Sequence, residues 1–131
     1  MTTQADAQGL YDQWRDADVM APDCPSRRVL QHLTSRWGAL VVVALAMAPN
    51  RFSGLRRQVR GISERMLAQT LQELEADGFV LRTAHAVVPP HVDYELTALG
   101  QEAAAHLVPL IRWIEAAMPR VLAASMREAA E

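Results

Sequence analysis

Residues 51–96 read RFSGLRRQVRGISERMLAQTLQELEADGFVLRTAHAVVPPHVDYEL, and the punctuation of this stretch decides the fold. Phe52-Ser53 opens a short helix with Ser53 as its expected N-cap, and Leu55 and Val59 form an i, i+4 apolar pair on it. Gly61 makes a turn. Ser63 caps a second helix, and Ile62 before it can staple onto Leu67, four positions inside. Leu67, Leu71 and Leu74 make the buried stripe of that helix, and Asp77-Gly78 is a stop. Strands are expected over 80–85 and 92–96, where Val92, Tyr94 and Leu96 alternate with Asp93 and Glu95, a sheet buried on one side. Pro89 and Pro90 cannot donate to a ladder, so they belong at the hairpin tip. Two helices, a tight turn and a hairpin make a winged helix-turn-helix, whose second helix fits the major groove of DNA.

Charge agrees with that shape. Between Arg27 and Arg65 there are eight arginines and one acid, Glu64, a net of +7 in a chain whose total is −2. Residues 1–26 carry a net of −4 and residues 66–131 a net of −5, so basic charge is concentrated where a nucleic-acid contact needs it. All 13 basic residues are arginine, the better fork-shaped donor to phosphate and guanine.

Outward from the quoted stretch, Cys24-Pro25 reads as a helix start, Cys24 being the candidate N-cap. The helix runs to about Leu33, with Val29, Leu30 and Leu33 on one side. A second apolar element covers Trp37 to Met47; its Val41-Val42-Val43 run alone suits helix or strand. On the other side, Thr97 caps a last helix that is expected to end near Met118 and to bend at Pro109. Leu99, Ala103, Leu107, Leu110, Ile114 and Ala117 make one apolar stripe of it, and Ala104, Val108 and Ile111 a second. A helix apolar on two sides implies a further partner, most simply a second copy of the chain.

The sequence divides into an acidic leader over 1–22, a winged core over 23–97 and a dimerisation helix with tail over 98–131. Leu10, Tyr11 and Trp14 share one face if the leader is helical; its beginning is expected to be disordered. The longest apolar run, Trp37 to Ala48, is too short to span a bilayer, which needs ~20 residues. With no secretory signal and a single cysteine, a cytoplasmic protein without membrane contact is expected.

At about 100° per residue, Arg65, Gln69 and Gln72 fall opposite the leucines of the second helix, with Met66 at the margin. Together with Ser63 and Glu64 at the helix start they are the candidate base-reading set, since Arg pairs with guanine and Gln with adenine. Arg51, Ser53, Arg56, Arg57 and Arg60 are candidate phosphate contacts, and Val88, Pro89, Pro90 and His91 the candidate wing contacts. Cys24 is either a small buried cap or a redox switch; a helix N-terminus and Arg27 and Arg28 within a turn favour thiolate. The four histidines show no zinc-motif spacing; His85 and His91 can face each other across the hairpin, read as surface histidines. No metal, cofactor or catalytic constellation is expected, so the chain is not read as an enzyme.

The motifs CPSRRVLQHLTSRW from Cys24, RFSGLRRQVRGISERMLAQTLQELEADGFVLR from Arg51, VPPHVDYELTALG from Val88, and Trp113 after the last glycine resemble the HxlR-type winged-helix transcriptional regulators, a MarR-like group. The resemblance covers Cys24 to about Trp113. It implies a helix over the Val41-Val43 run, a homodimer held by its N- and C-terminal helices, and DNA binding by the second helix and the wing. Several such relatives sense oxidants or electrophiles through a cysteine at this Cys-Pro position. His91 stands where arginine is usual at the wing, and Gly54 where an acid or polar residue is usual.

The expected fold is thus mainly α with a small β-hairpin wing. The expected function is a sequence-specific regulator, a repressor, binding a pseudo-palindromic DNA repeat as a homodimer and responsive to oxidant or electrophile through Cys24. Two other readings are a regulator answering a small apolar ligand in an intersubunit pocket lined by Trp37, Trp113, Met47, Met66 and Met118, and a winged protein-interaction module without DNA binding. The +7 segment argues against the latter.

Overall fold

The computed structural model describes residues 18–130, and the Leu10/Tyr11/Trp14 face lies outside them. In chain order the elements are α1 (Pro25–Thr34), α2 (Gly38–Met47), β1 (Asn50–Arg51), α3 (Phe52–Gln58), α4 (Glu64–Ala76), β2 (Val80–His85), β3 (His91–Leu96) and α5 (Ala98–Ala130). The strands form an antiparallel sheet in the order β1-β3-β2. The architecture is mainly helical with a small winged sheet.

The valine run is helical because of where it sits. α2 touches each of the other four helices and β3. Val41, Val42, Ala44 and Leu45 are buried in the same core as Leu55, Leu67, Leu71, Leu74 and Leu96. A helix apolar nearly all round is stable only when it is enclosed, and the surrounding packing outweighs the strand preference of three β-branched residues. In α1, Val29 and Leu33 pack against this core, but Leu30 is 48% exposed. One position is about 100° of helix rotation, enough to turn Leu30 off the face assigned to it.

Ser53 is not the cap of α3. The helix begins two residues earlier than that cap implies, at Phe52, with Arg51 as N-cap. The cause is β1, which the sequence did not disclose. Asn50 and Arg51 pair with Tyr94 and Asp93, and Asn50 Oδ1 accepts the Arg51 amide at 2.8 Å. The strand therefore delivers the chain directly into the helix. The same Asn50 side chain occupies the space a Cβ on Gly54 would need, which explains the glycine there.

α4 has the ends the sequence predicts. Ser63 Oγ accepts the Met66 amide at 3.1 Å. At the other end Phe79 N–H reaches the Leu74 carbonyl and Gly78 N–H the Glu75 carbonyl. That double bond pattern needs a left-handed residue, and Gly78 has φ +87°.

α5 begins as expected, with Thr97 Oγ1 accepting the Gly100 amide at 3.0 Å. It does not stop near Met118 but continues to Ala130, with both Pro109 and Pro119 inside it. Pro119 removes the amide that would bond the Glu115 carbonyl. Glu115 is exposed, so water can take that carbonyl, and the following Arg-Val-Leu-Ala-Ala-Ser-Met-Arg-Glu-Ala-Ala run is made largely of good helix formers. The apolar stripe read along α5 divides. Leu107 and Ala117 are buried, as is Ala104, whereas Leu99, Leu110 and Ile114 are exposed. Trp113 (60% exposed), Val121, Leu122 and Met126 are exposed as well. Among the described residues no single helix is long and apolar enough to cross a membrane.

Candidate nucleic-acid interface

α4 presents two opposite faces. Leu67, Leu71 and Leu74 are buried under it, and Arg65, Gln69 and Gln72 are exposed on its far side. Ile62 is buried beside Leu67 in the core, so the staple forms and fixes the angle at which the chain enters α4. Gly61, with φ +93°, makes the reversal from α3. Met66 is only just exposed, at the edge of the polar face. Gln69 Nε2 donates to Glu73 Oε1 at 3.1 Å, which holds the amide along the helix surface.

The arginines fall into separate roles. Arg56, Arg57 and Arg60 line an open hollow of about 730 Å³ with Ser53, and its far wall is Ser63 and Glu64 at the start of α4. Arg56 Nη1 donates to Glu64 Oε1 at 3.1 Å across this hollow. Glu64 therefore orients an arginine more directly than it offers itself to a base. Arg28 of α1 shares a second hollow with Gln69 and Gln72, a proximity no sequence spacing revealed. Arg51 Nε stands 3.8 Å from Asp93 Oδ1, on the wing sheet. Arg36 lies over the Trp37 ring, 4.5 Å from its centroid, and Arg27 Nη1 donates to the Met20 carbonyl at 2.8 Å.

The wing tip is fully open: Val88 is 99% exposed, and Pro89 and Pro90 are exposed beside it. His91 is not at the tip. It is the first residue of β3, opposite His85, and its ring stacks on the His85 ring at 4.5 Å. His32 of α1 bonds Asp77 at the end of α4 through Nδ1, a contact that no sequence spacing disclosed.

Cys24 occupies the N-cap position of α1, as expected, but its sulfur is turned to Ser26, with Sγ and Ser26 Oγ 2.9 Å apart. That contact is the main reason the thiol is held below its ordinary pKa; burial opposes it, and backbone groups of Ser26, Arg27 and Asp18 assist. The expected help from the Arg27 charge is replaced by the Ser26 hydroxyl, because the Arg27 guanidinium reaches Met20. Cys24 is 9% exposed, under a turn in which its own amide bonds the Ala21 carbonyl.

Among the described residues, the aromatic and methionine side chains suggested for a ligand pocket are not brought together in any of the five principal hollows of one chain. An apolar groove of about 360 Å³ does lie between α2 and α5, lined by Val43, Ala46, Met47, Val108 and Ile111, with Arg112 and Glu115 at its rim. Met47 is the single member of the suggested set that lines it.

Comparison with known proteins agrees with this geometry. Residues 32–122 match the profile described as HxlR-like helix-turn-helix. The chain is 51% identical over 121 residues to an uncharacterized HTH-type transcriptional regulator, YtfH of Escherichia coli (strain K12), covering 92% of this chain and 96% of that one. Among solved structures, the transcriptional regulator ytfH from Salmonella typhimurium superimposes with a TM-score of 0.80 at 52% identity, covering 84% of this chain and 98% of the other. The redox regulator HypR in its oxidized form is similar at a TM-score of 0.65 and 33% identity, over 71% of this chain and 96% of that one.

Proposed function

The chain belongs to the HxlR-like helix-turn-helix family of transcriptional regulators, and from that premise we propose that it is a cytoplasmic repressor that binds a pseudo-palindromic DNA site as a homodimer. The observation that carries the reading is the exposed Arg65–Gln69–Gln72 line on a helix whose other face is buried, flanked by the arginine hollow of α3. Base edges are read by Arg65, Gln69 and Gln72. Arg56, Arg57, Arg60 and Ser53 hold phosphates, with Arg28 as an added cation beside the glutamines. Residues 23–97 bind DNA, and α5 supplies the dimer contact through its exposed Leu110, Trp113, Ile114, Leu122 and Met126. Selection from random duplexes tests this: an inverted repeat should emerge, its half-sites about one helical turn apart. Recovery of unrelated sequences by the intact chain contradicts it.

Cys24 is the proposed effector site. Its lowered pKa and the likeness to a redox regulator support this assignment. With one cysteine per chain, two-electron oxidation joins two copies through Cys24 or links Cys24 to a small thiol. A second reading rests on the α2–α5 groove, which suits a small apolar effector. Diamide separates the two: loss of operator binding in wild type but not in Cys24→Ser supports the thiol, and equal behaviour of both proteins supports the groove.

A further inference from the structure

The outer face of the wing gathers three side chains that the sequence separates. Directly opposed residues of an antiparallel pair point to the same side of the sheet, and the register sets His85 opposite His91 and Thr83 opposite Asp93. His85 Nε2 lies 2.7 Å from Asp93 Oδ2, and His91 Nε2 lies 3.8 Å from the same oxygen. One potential ligand atom from each of the three lies within 4.8 Å of the others. We propose that His85, His91 and Asp93 form a binding site for a divalent first-row transition metal, with zinc as the ion that fits it first.

The donor set selects the metal class. Imidazole suits zinc, copper, nickel and iron, whereas calcium and magnesium prefer sites built from oxygen. Zinc bonds nitrogen and carboxylate oxygen at about 2.0–2.2 Å, which sets tetrahedral ligand atoms about 3.3 Å apart. The observed separations of 2.7 and 3.8 Å lie on either side of that spacing. All three side chains are partly exposed, so small rotations can centre them on an ion while the β2–β3 ladder holds the backbone. Each imidazole ligates through Nε2 with its proton on Nδ1. Arg51 faces Asp93 Oδ1 at 3.8 Å, which leaves Oδ2 on the histidine side for the metal. Three protein ligands leave a fourth position for water. His85 and His91 form the last rung before the loop over residues 86–90, so a bound ion ties that loop at its base. This site does not depend on the DNA-binding reading.

The test is calorimetric titration of Zn²⁺ into the full chain in a non-coordinating buffer, with Co²⁺ absorption in parallel. One ion per chain is expected, together with visible ligand-field bands for cobalt. His85→Gln, His91→Gln and Asp93→Asn should each weaken zinc by at least ~10-fold, since changes in the outer shell alone cost about 10–100-fold. His32→Gln and His106→Gln should leave it unchanged. Wild-type imidazole NMR gives a readout that needs no variant: zinc should shift the His85 and His91 rings and spare those of His32 and His106. Absence of a saturable zinc site, unchanged affinity in both wing histidine variants, or shifts at His32 or His106 instead would overturn the proposal.

Discussion

The Cys24 thiol is held below its ordinary pKa chiefly by Ser26, the second residue of α1, more than by the arginines that follow. Ser26→Ala should move the midpoint of the alkylation-rate profile of Cys24 to higher pH, toward that of a free thiol near ~8.5. The sign follows from the bond: a partner that favours thiolate lowers the pKa, and its removal raises it. An unmoved profile would leave Ser26 without a role. The arginines of the helix-turn-helix divide in a similar way. Arg65→Ala should narrow the preference for operator over random DNA, a good bidentate base contact being worth ~1–3 kcal/mol of discrimination. Arg57→Ala should weaken both DNAs alike and flatten the salt dependence, as loss of a phosphate contact does. Competition binding on the two DNAs distinguishes them; equal loss on both for Arg65→Ala would make Arg65 a phosphate contact. Periodicity alone located Arg65, Gln69 and Gln72, because helical spacing fixes which side of a helix a residue occupies. It could not reveal Arg28 beside the glutamines or Glu64 on Arg56, since each depends on a meeting between elements, and the Ser26 contact, though local, depends on how the Cys24 side chain turns.

The elements were readable where local chemistry closes on itself. Ser63, Ile62, the leucine stripe and Gly78 define α4 from residues a few positions apart, and the observed helix follows them. Ser63→Ala should therefore cost about 1 kcal/mol of stability in denaturant unfolding, within the usual 0.5–2 kcal/mol for an N-cap. No change in the midpoint would mean that the Met66 amide finds another acceptor. The readings that failed were those set by distant partners. β1 exists because Asn50 and Arg51 find β3 more than forty residues on, and this displaced the expected Ser53 cap. α5 passes Pro119 because an exposed carbonyl can be left to water, a tolerance that proline as a stop signal does not capture. The facing of His85 and His91 across the hairpin was legible, but Asp93 beside them needed the strand register.

The whole molecule carries its positive charge in the middle of the chain, and the structure gathers much of it around α3 and α4. It also leaves one long helix with an uncovered apolar face. The two features fit a dimer that sets two copies of α4 on one side of a duplex. Trp113→Asp together with Leu122→Asp should yield monomers by light scattering and lose cooperative operator binding, because both side chains are exposed in the single chain and a charge there opposes burial between copies. A dimer that survives both changes would place its interface elsewhere. Charge segregation and the two-sided apolar pattern of α5 were both visible in the sequence; the division of that pattern into a covered and an open face was not, because it depends on how α2 packs against α5. DNA recognition itself is tested most directly by fluorescence anisotropy of the wild-type chain on its selected inverted repeat and on a scrambled duplex, across a range of salt. A dimer making 6–10 phosphate contacts should lose about 10³–10⁵ in affinity between 50 and 200 mM salt, while keeping a preference for the repeat that Arg65→Ala reduces. Affinity that does not change with salt, or that is equal on the two duplexes, would contradict DNA recognition through α4.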